Sequence, residues 1–136
     1  MCLITTKDIP EIAQEDIVCY KLYKLRDNDL LSPYREVVAP NINEVTNTVL
    51  DRARVFNYTG NRVNYSVSRG FHSYKNISNL KEELHFWTRF LAHSNVRIFK
   101  CIIPKGTKYY EGKFVGESSY CSESIILKEI INYETN

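Results

Sequence analysis

The sequence carries one firm helical stripe, and strand-like segments lie on both sides of it. Leu80, Leu84, Trp87 and Leu91 recur at three- and four-residue intervals, which makes one side of a helix apolar to about His93. Asn79, with Glu82 three residues on, supplies a capping-box-like start. Upstream, Ile17-Val18-Cys19-Tyr20-Lys21-Leu22-Tyr23 is a β-branched and aromatic run bounded by Asp16 and by Arg26-Asp27-Asn28-Asp29. Residues 62–67 alternate as a strand does and end towards Gly70, where Phe71-His72-Ser73-Tyr74 follows. Downstream, residues 96–103 form a strong strand closed by Pro104-Lys105-Gly106, and residues 124–131 form a last one. Strands and helix do not alternate as βαβα. The chain is therefore expected to be one α+β domain over residues 1–136, a curved and largely antiparallel sheet with one main amphipathic helix.

Two stretches are less determined. Ser32-Pro33-Tyr34 reads as a turn into a short extended piece through Val38. Between Pro40 and Asn61, Ile42, Val45, Val49 and Ala53 match a helical stripe, while the β-branched Val45, Thr46, Thr48 and Val49 argue the other way.

A 43% hydrophobic and 25% charged composition is that of a folding chain. The 18 Lys and Arg against 16 Asp and Glu are scattered, so a phosphate-tracking basic face is not expected and nucleic acid is an unlikely partner. The densest basic stretch sets Lys100, Lys105, Lys108 and Lys113 among Tyr109, Tyr110 and Phe114; a solvated strand edge and loop accounts for it. No secretory signal and no run of about 18 apolar residues is present, which predicts a cytoplasmic protein without a membrane partner. Cys2, Cys19, Cys101 and Cys121 show no metal-ligand spacing, and Cys19 and Cys101, inside apolar runs, read as small buried hydrophobes.

Glycine-rich phosphate loops are missing, so the common nucleotide folds and a bound cofactor are not expected. Cys121, in a polar segment, and His72, after Gly70, are the only candidates for a nucleophilic pair, and chance placement explains them better. His72 also suits phosphate or hydroxyl recognition at a strand end. His85 and His93 on the helix carry no catalytic role. Among carboxylates, Glu117, Glu123 and Glu129 read as surface groups, with Glu123 best placed because it opens the last strand.

In order, the second half resembles the ADP-ribosyltransferase superfamily: a strand with a small polar cluster, a helix, a strand, a phrase of the type I-P-x-G-(T/S)-x-x-Y, and an acidic motif at the final strand. Here these are Ser66 to Ser73, Leu80 to Leu91, Ile98 to Ile103, Pro104-Lys105-Gly106-Thr107-Lys108-Tyr109-Tyr110, and Ser122-Glu123-Ser124. The resemblance implies a transferase-like fold with Tyr20 and Lys21 where the family grips its dinucleotide, and Glu123 as the catalytic carboxylate. The chain departs from the family in having Lys21 for Arg or His, and Ser-Glu-Ser for Glu/Gln-x-Glu. Lys lacks the planar bidentate grip of Arg. The whole chain also resembles small uncharacterised proteins of gut Bacteroidota and their phages, with an M-C-L-x-T start, G-F-H-S, and I-I-P-K-G-T-K-Y-Y.

With fold phrases kept and the catalytic pattern lost, the resemblance favours a non-catalytic binding module, phage-borne or accessory, for an ADP-ribose-like nucleotide or a host factor. Tyr20, Lys21, Phe71, His72, Tyr109 and Tyr110 would be its ligand contacts. One alternative is an active ADP-ribosyltransferase or NAD glycohydrolase using Glu123. Another is a protein-interaction inhibitor acting through an exposed sheet edge or the aromatic loop from Tyr109 to Tyr120.

Overall fold

The computed structural model describes residues 2–32, 38–89 and 95–131. In chain order the strands begin with β1 (Leu3–Thr5), β2 (Glu11–Ile12), β3 (Ile17–Arg26) and β4 (Asp29–Leu31). Next come β5 (Val45–Asn47), β6 (Arg54–Thr59), β7 (Arg62–Val67) and β8 (Phe71–Tyr74). A 3-10 turn, Ile77–Leu80, leads into the short helix α1 (Lys81–Thr88). Finally β9 (Val96–Ile103), β10 (Lys108–Phe114), β11 (Glu117–Ser122) and β12 (Ser124–Ile131) complete the chain.

These strands form one sheet in the order β5-β12-β9-β3-β8-β11-β10-β1-β7-β6, with β2 beside β10 and β4 beside β3. Every strand ladder is antiparallel, and among the described residues the one parallel contact is the isolated bridge Ile42 to Leu127. The domain is thus a largely antiparallel sheet with one short helix, as the arrangement of apolar runs predicts. Asp27 and Asn28 both take positive φ between the paired Arg26 and Asp29, the two-residue turn whose twist suits a hairpin.

Each face of the sheet is covered by side chains. One face gathers Leu3, Leu22, Val67, Tyr74, Ile98 and Phe114, with Leu80 fully buried and Leu84 and Trp87 of α1 packed against them. The opposite face gathers Cys19, Tyr23, Phe99, Cys101, Ile125 and Leu127. In β9, Val96 and Ile98 join the first cluster while Phe99, Cys101 and Ile103 join the second. Burial on both faces explains why β9 carries apolar residues on each of its faces, interrupted by Arg97 and Lys100, rather than a strict alternation.

Residues 40–61, which the sequence leaves open between helix and strand, contain β5 and β6. Other expectations change. The segment from Tyr109 to Tyr120 is not a loop but the β10–β11 hairpin, and β10 is an interior strand rather than an edge. Along it Tyr110 and Phe114 are buried while Lys108 and Lys113 are exposed, so cations and buried rings do not share a surface. The helix entry lies earlier than the Asn79 and Glu82 pattern implies: the Asn76 backbone N–H donates to Asn79 Oδ1 at 3.0 Å, and the 3-10 turn precedes α1. Leu91, His93 and most of the turn proposed at 32–38 lie outside the described residues.

Candidate functional site

The site starts from a fault in the sheet. β3 is paired with β9 at eight positions, from Ile17 to Lys24, yet with β8 at one alone, Tyr20 with Tyr74. Beyond that pair the register would set Lys21, Leu22 and Tyr23 opposite Ser73, His72 and Phe71. Instead these two strand segments line a cavity of about 390 Å³. Successive strand residues point to opposite faces, so Lys21, Tyr23, Phe71 and Ser73 bound it from one side of the sheet and Leu22, His72 and Tyr74 from the other.

The turn before β8 holds this opening. The Asp51 carboxylate accepts the Ser68 hydroxyl at 2.6 Å and the Arg69 N–H at 3.1 Å, and the Asp51 N–H donates to the Arg69 carbonyl at 3.0 Å. The Ser68 hydrogen bond keeps the Asp51 carboxyl below its usual range. Gly70 follows at φ +144°, where a Cβ would lie 2.5 Å from Cys121 Sγ and 2.9 Å from Leu50 Cδ1. Only glycine suits both that backbone and that space.

Across the gap, Lys21 Nζ donates to the His72 carbonyl at 2.5 Å and ties β3 to β8. Removal from water lowers the lysine's pKa, and neighbouring Glu83 partly offsets this. Glu83, on α1, also lines the cavity; burial raises its pKa, opposed by a hydrogen bond from Tyr74 and by the charge of Lys21. A raised carboxyl and a lowered amine thus border one cavity.

The sign of the Glu83 effect can be read in stability. Between its unfolded value, about 4.3, and its raised folded value, the folded chain keeps a proton that the unfolded chain has released. The Glu83 contribution is therefore full at low pH and declines as pH rises through that window. Lys21 acts in the opposite sense at alkaline pH, where the unfolded chain is the one that keeps its proton. Urea midpoints measured from about pH 4 to 7 should show a decline in the wild type that Glu83→Gln removes; an identical slope in both would count against burial of this carboxyl.

The residues singled out in the sequence are distributed over several places. Lys21, Phe71 and His72 line the cavity together. Tyr20 is half-buried against the first core and does not line it. Tyr109 donates its hydroxyl to Glu11 Oε2 at 2.9 Å and meets the Tyr120 ring edge-on at 5.9 Å. Burial raises the pKa of both tyrosines, that of Tyr120 to about 12. Tyr110 is buried, and its hydroxyl accepts the Ala53 N–H at 3.3 Å. Tyr110 and Glu123 border a separate, more polar depression with Lys108 and Arg52. There the Glu123 Oε1 accepts the Lys108 N–H at 3.2 Å.

Cys121 and His72, which sequence reasoning left to chance, do meet: Sγ lies 3.8 Å from Nε2. Cys121 is on β11, wholly buried, rather than in a polar loop. The pair is not arranged as nucleophile and base. His72 Nε2 is 3.0 Å from the Ser68 carbonyl, an acceptor, so this nitrogen carries the proton; the thiol is directed to the Arg69 carbonyl at 3.6 Å.

Sequence reasoning missed Tyr23, Arg69, Tyr74 and Glu83, all of which line the cavity. For Glu83 a signal existed: it stands three residues after Leu80 and beside Leu84, on the inward side of the apolar stripe, where a carboxylate is out of place. Among the described residues, no group of three or more His, Cys, Asp or Glu is placed to hold a metal ion, and no helix is long and apolar enough to cross a membrane. No protein family, curated protein or solved structure matches this chain.

Proposed function

We propose that the chain is a non-catalytic binding module that takes a nucleotide-type, ADP-ribose-like ligand in the cavity between β3 and β8. The observation that carries this reading is the composition of that cavity. Its volume of about 390 Å³ falls in the range of small-molecule sites. Tyr23, Phe71 and Tyr74 offer ring faces for a base, and the exposed Arg69 offers a planar fork for a phosphate. The separated edges of β3 and β8 add backbone donors and acceptors along both walls.

Against transfer chemistry stands the position of Glu123. The resemblance to ADP-ribosyltransferases makes it the catalytic carboxylate, but it borders the other depression and is engaged with the Lys108 backbone. A carboxylate outside the cavity that holds Lys21 and His72 is badly placed to stabilise charge on a ligand there.

The test is thermal unfolding of the full chain with NAD, ADP-ribose, cyclic ADP-ribose and cyclic dinucleotides, followed by chromatography of each compound. Binding to the folded state alone raises stability by about 2.7 kcal/mol at one hundred times the dissociation constant. The expected result is a raised midpoint with an ADP-ribose-type compound recovered intact, and a smaller rise in Arg69→Ala or Phe71→Ala. Release of nicotinamide would overturn the non-catalytic assignment. If no nucleotide moves the midpoint, the nucleotide reading fails and a host protein becomes the partner to seek, with the exposed Val55, Phe56 and Tyr58 of edge strand β6 as the surface to mutate.

A further inference from the structure

Two thiols oppose each other inside the sheet. Cys19 of β3 and Cys101 of β9 are direct partners in the antiparallel ladder. Neither has solvent exposure and both are unbridged. Directly opposed residues of an antiparallel pair have Cα atoms roughly 4.5–5.5 Å apart and project their side chains to the same face. A disulfide spans roughly 4.4–6.8 Å between Cα atoms, so closure needs little backbone movement.

The surroundings separate the two sulfurs. The neighbouring Cys101 lowers the pKa of Cys19 against the rise from its burial, with the charge of Lys21 acting in the same direction as Cys101, whereas Cys101 is pushed up by the same partnership and by burial. The Cys101 thiol donates to the Phe99 carbonyl at 3.5 Å. Neither thiol lines the cavity between β3 and β8, but neighbours of Cys19 do. Lys21 and Tyr23, on the same face of β3 as Cys19, form part of the wall of the cavity between β3 and β8.

We propose that Cys19 and Cys101, held opposite one another by the β3–β9 register, are a site of reversible oxidation that closes a cross-strand disulfide on exposure to a hydroperoxide. With hydrogen peroxide, the Cys19 thiolate attacks one oxygen: an S–O bond forms, the O–O bond breaks, and the departing hydroxide takes up the Cys19 proton as water. The Cys101 sulfur then attacks the sulfenic sulfur of Cys19. The S–S bond forms, the S–O bond breaks, and the second water leaves with the Cys101 proton. Two thiols and one peroxide become one disulfide and two waters. Thiol reductants reverse it.

The experiment maps thiols in the folded, full-length chain after hydrogen peroxide treatment, by alkylation, digestion and mass spectrometry. The expected result is loss of two of the four thiols, a linked pair of peptides holding Cys19 and Cys101, and restoration by dithiothreitol. Cys2 and Cys121 remain open to alkylation once the chain is unfolded. In Cys101→Ser the sulfenic acid at Cys19 has no resolving thiol, and dimedone captures it. The proposal is overturned if Cys19 and Cys101 stay reduced while Cys2 oxidises, if either is linked to Cys2 or Cys121, or if both end as sulfinic acids. This readout does not depend on the cavity binding a nucleotide.

Discussion

Gly112→Ala is expected to unfold most of the molecule, with a loss of about 3–5 kcal/mol in urea-measured stability. A Cβ on Gly112 would stand 2.1 Å from the Ile4 carbonyl oxygen, 2.9 Å from its carbon and 3.1 Å from Thr5 Cα. All three are backbone atoms, so no rotamer change gives relief. β1 would have to leave β10, where Ile4 is paired with Lys113 and the Thr5 hydroxyl donates to the Glu111 carbonyl at 2.8 Å. The β6–β7 hairpin joins the sheet through β1, and the fully buried Leu3 goes with that strand. Gly60→Ala is the control. Nothing lies within 4 Å of its Cβ position, and its φ of +61° predicts a cost of about 1–2 kcal/mol. Equal losses in the two variants would mean that β1 does not lie against β10 as described.

Phe99→Ala comes next, with an expected loss of about 3–5 kcal/mol. Phe99 is 1% exposed, on a strand flanked by β3 and β12, and its ring meets Tyr23 edge-on at 5.5 Å. Truncation leaves a void bordered by residues of the second core, among them Cys19, Ile125 and Leu127. Strands pinned on both sides cannot collapse into it. Phe56→Ala on edge strand β6, where the ring is 58% exposed, should change stability by less than about 0.5 kcal/mol. Chemical denaturation of the two variants separates the cases: similar losses would refute the placement of Phe99 in a closed core.

Elements whose residues face a core on a regular period were legible in advance. Residues 96–103 and 124–131 are strands at those bounds, and the run from Ile17 to Tyr23 lies within β3. Leu80, Leu84 and Trp87 pack as a helical stripe should. Where the period was accidental, it left the reading open. Ile42, Val45 and Val49 are spaced like a helix face but are 49%, 57% and 61% exposed, with no core behind them; Val45 instead lies in β5, paired with Ile126. The β10–β11 hairpin escaped because its exposed lysines and buried rings alternate at short range and resemble a polar loop.

The candidate site was legible only in part. The resemblance singles out Lys21, and the place after Gly70 singles out His72; both line the cavity. Glu123 was conspicuous for its place before the last strand, yet hydrogen bonds hold it elsewhere. Glu83 carried a signal in its place on the apolar stripe three residues after Leu80, but that it shares a cavity with Lys21 depends on packing. The Cys19 and Cys101 pair depends on register, and a shift of one residue would put the two side chains on opposite faces.

By itself, then, the order of apolar runs determined a largely antiparallel sheet with one main helix, because burial of alternate or stripe-spaced side chains is a local property of the chain. The tertiary structure alone decided that β3 and β8 meet at a single pair, that Lys21 and Glu83 share a cavity, and that Glu123 does not. Those relations join residues up to about a hundred positions apart, and their energies arise from desolvation and hydrogen bonding between strands that no local pattern encodes.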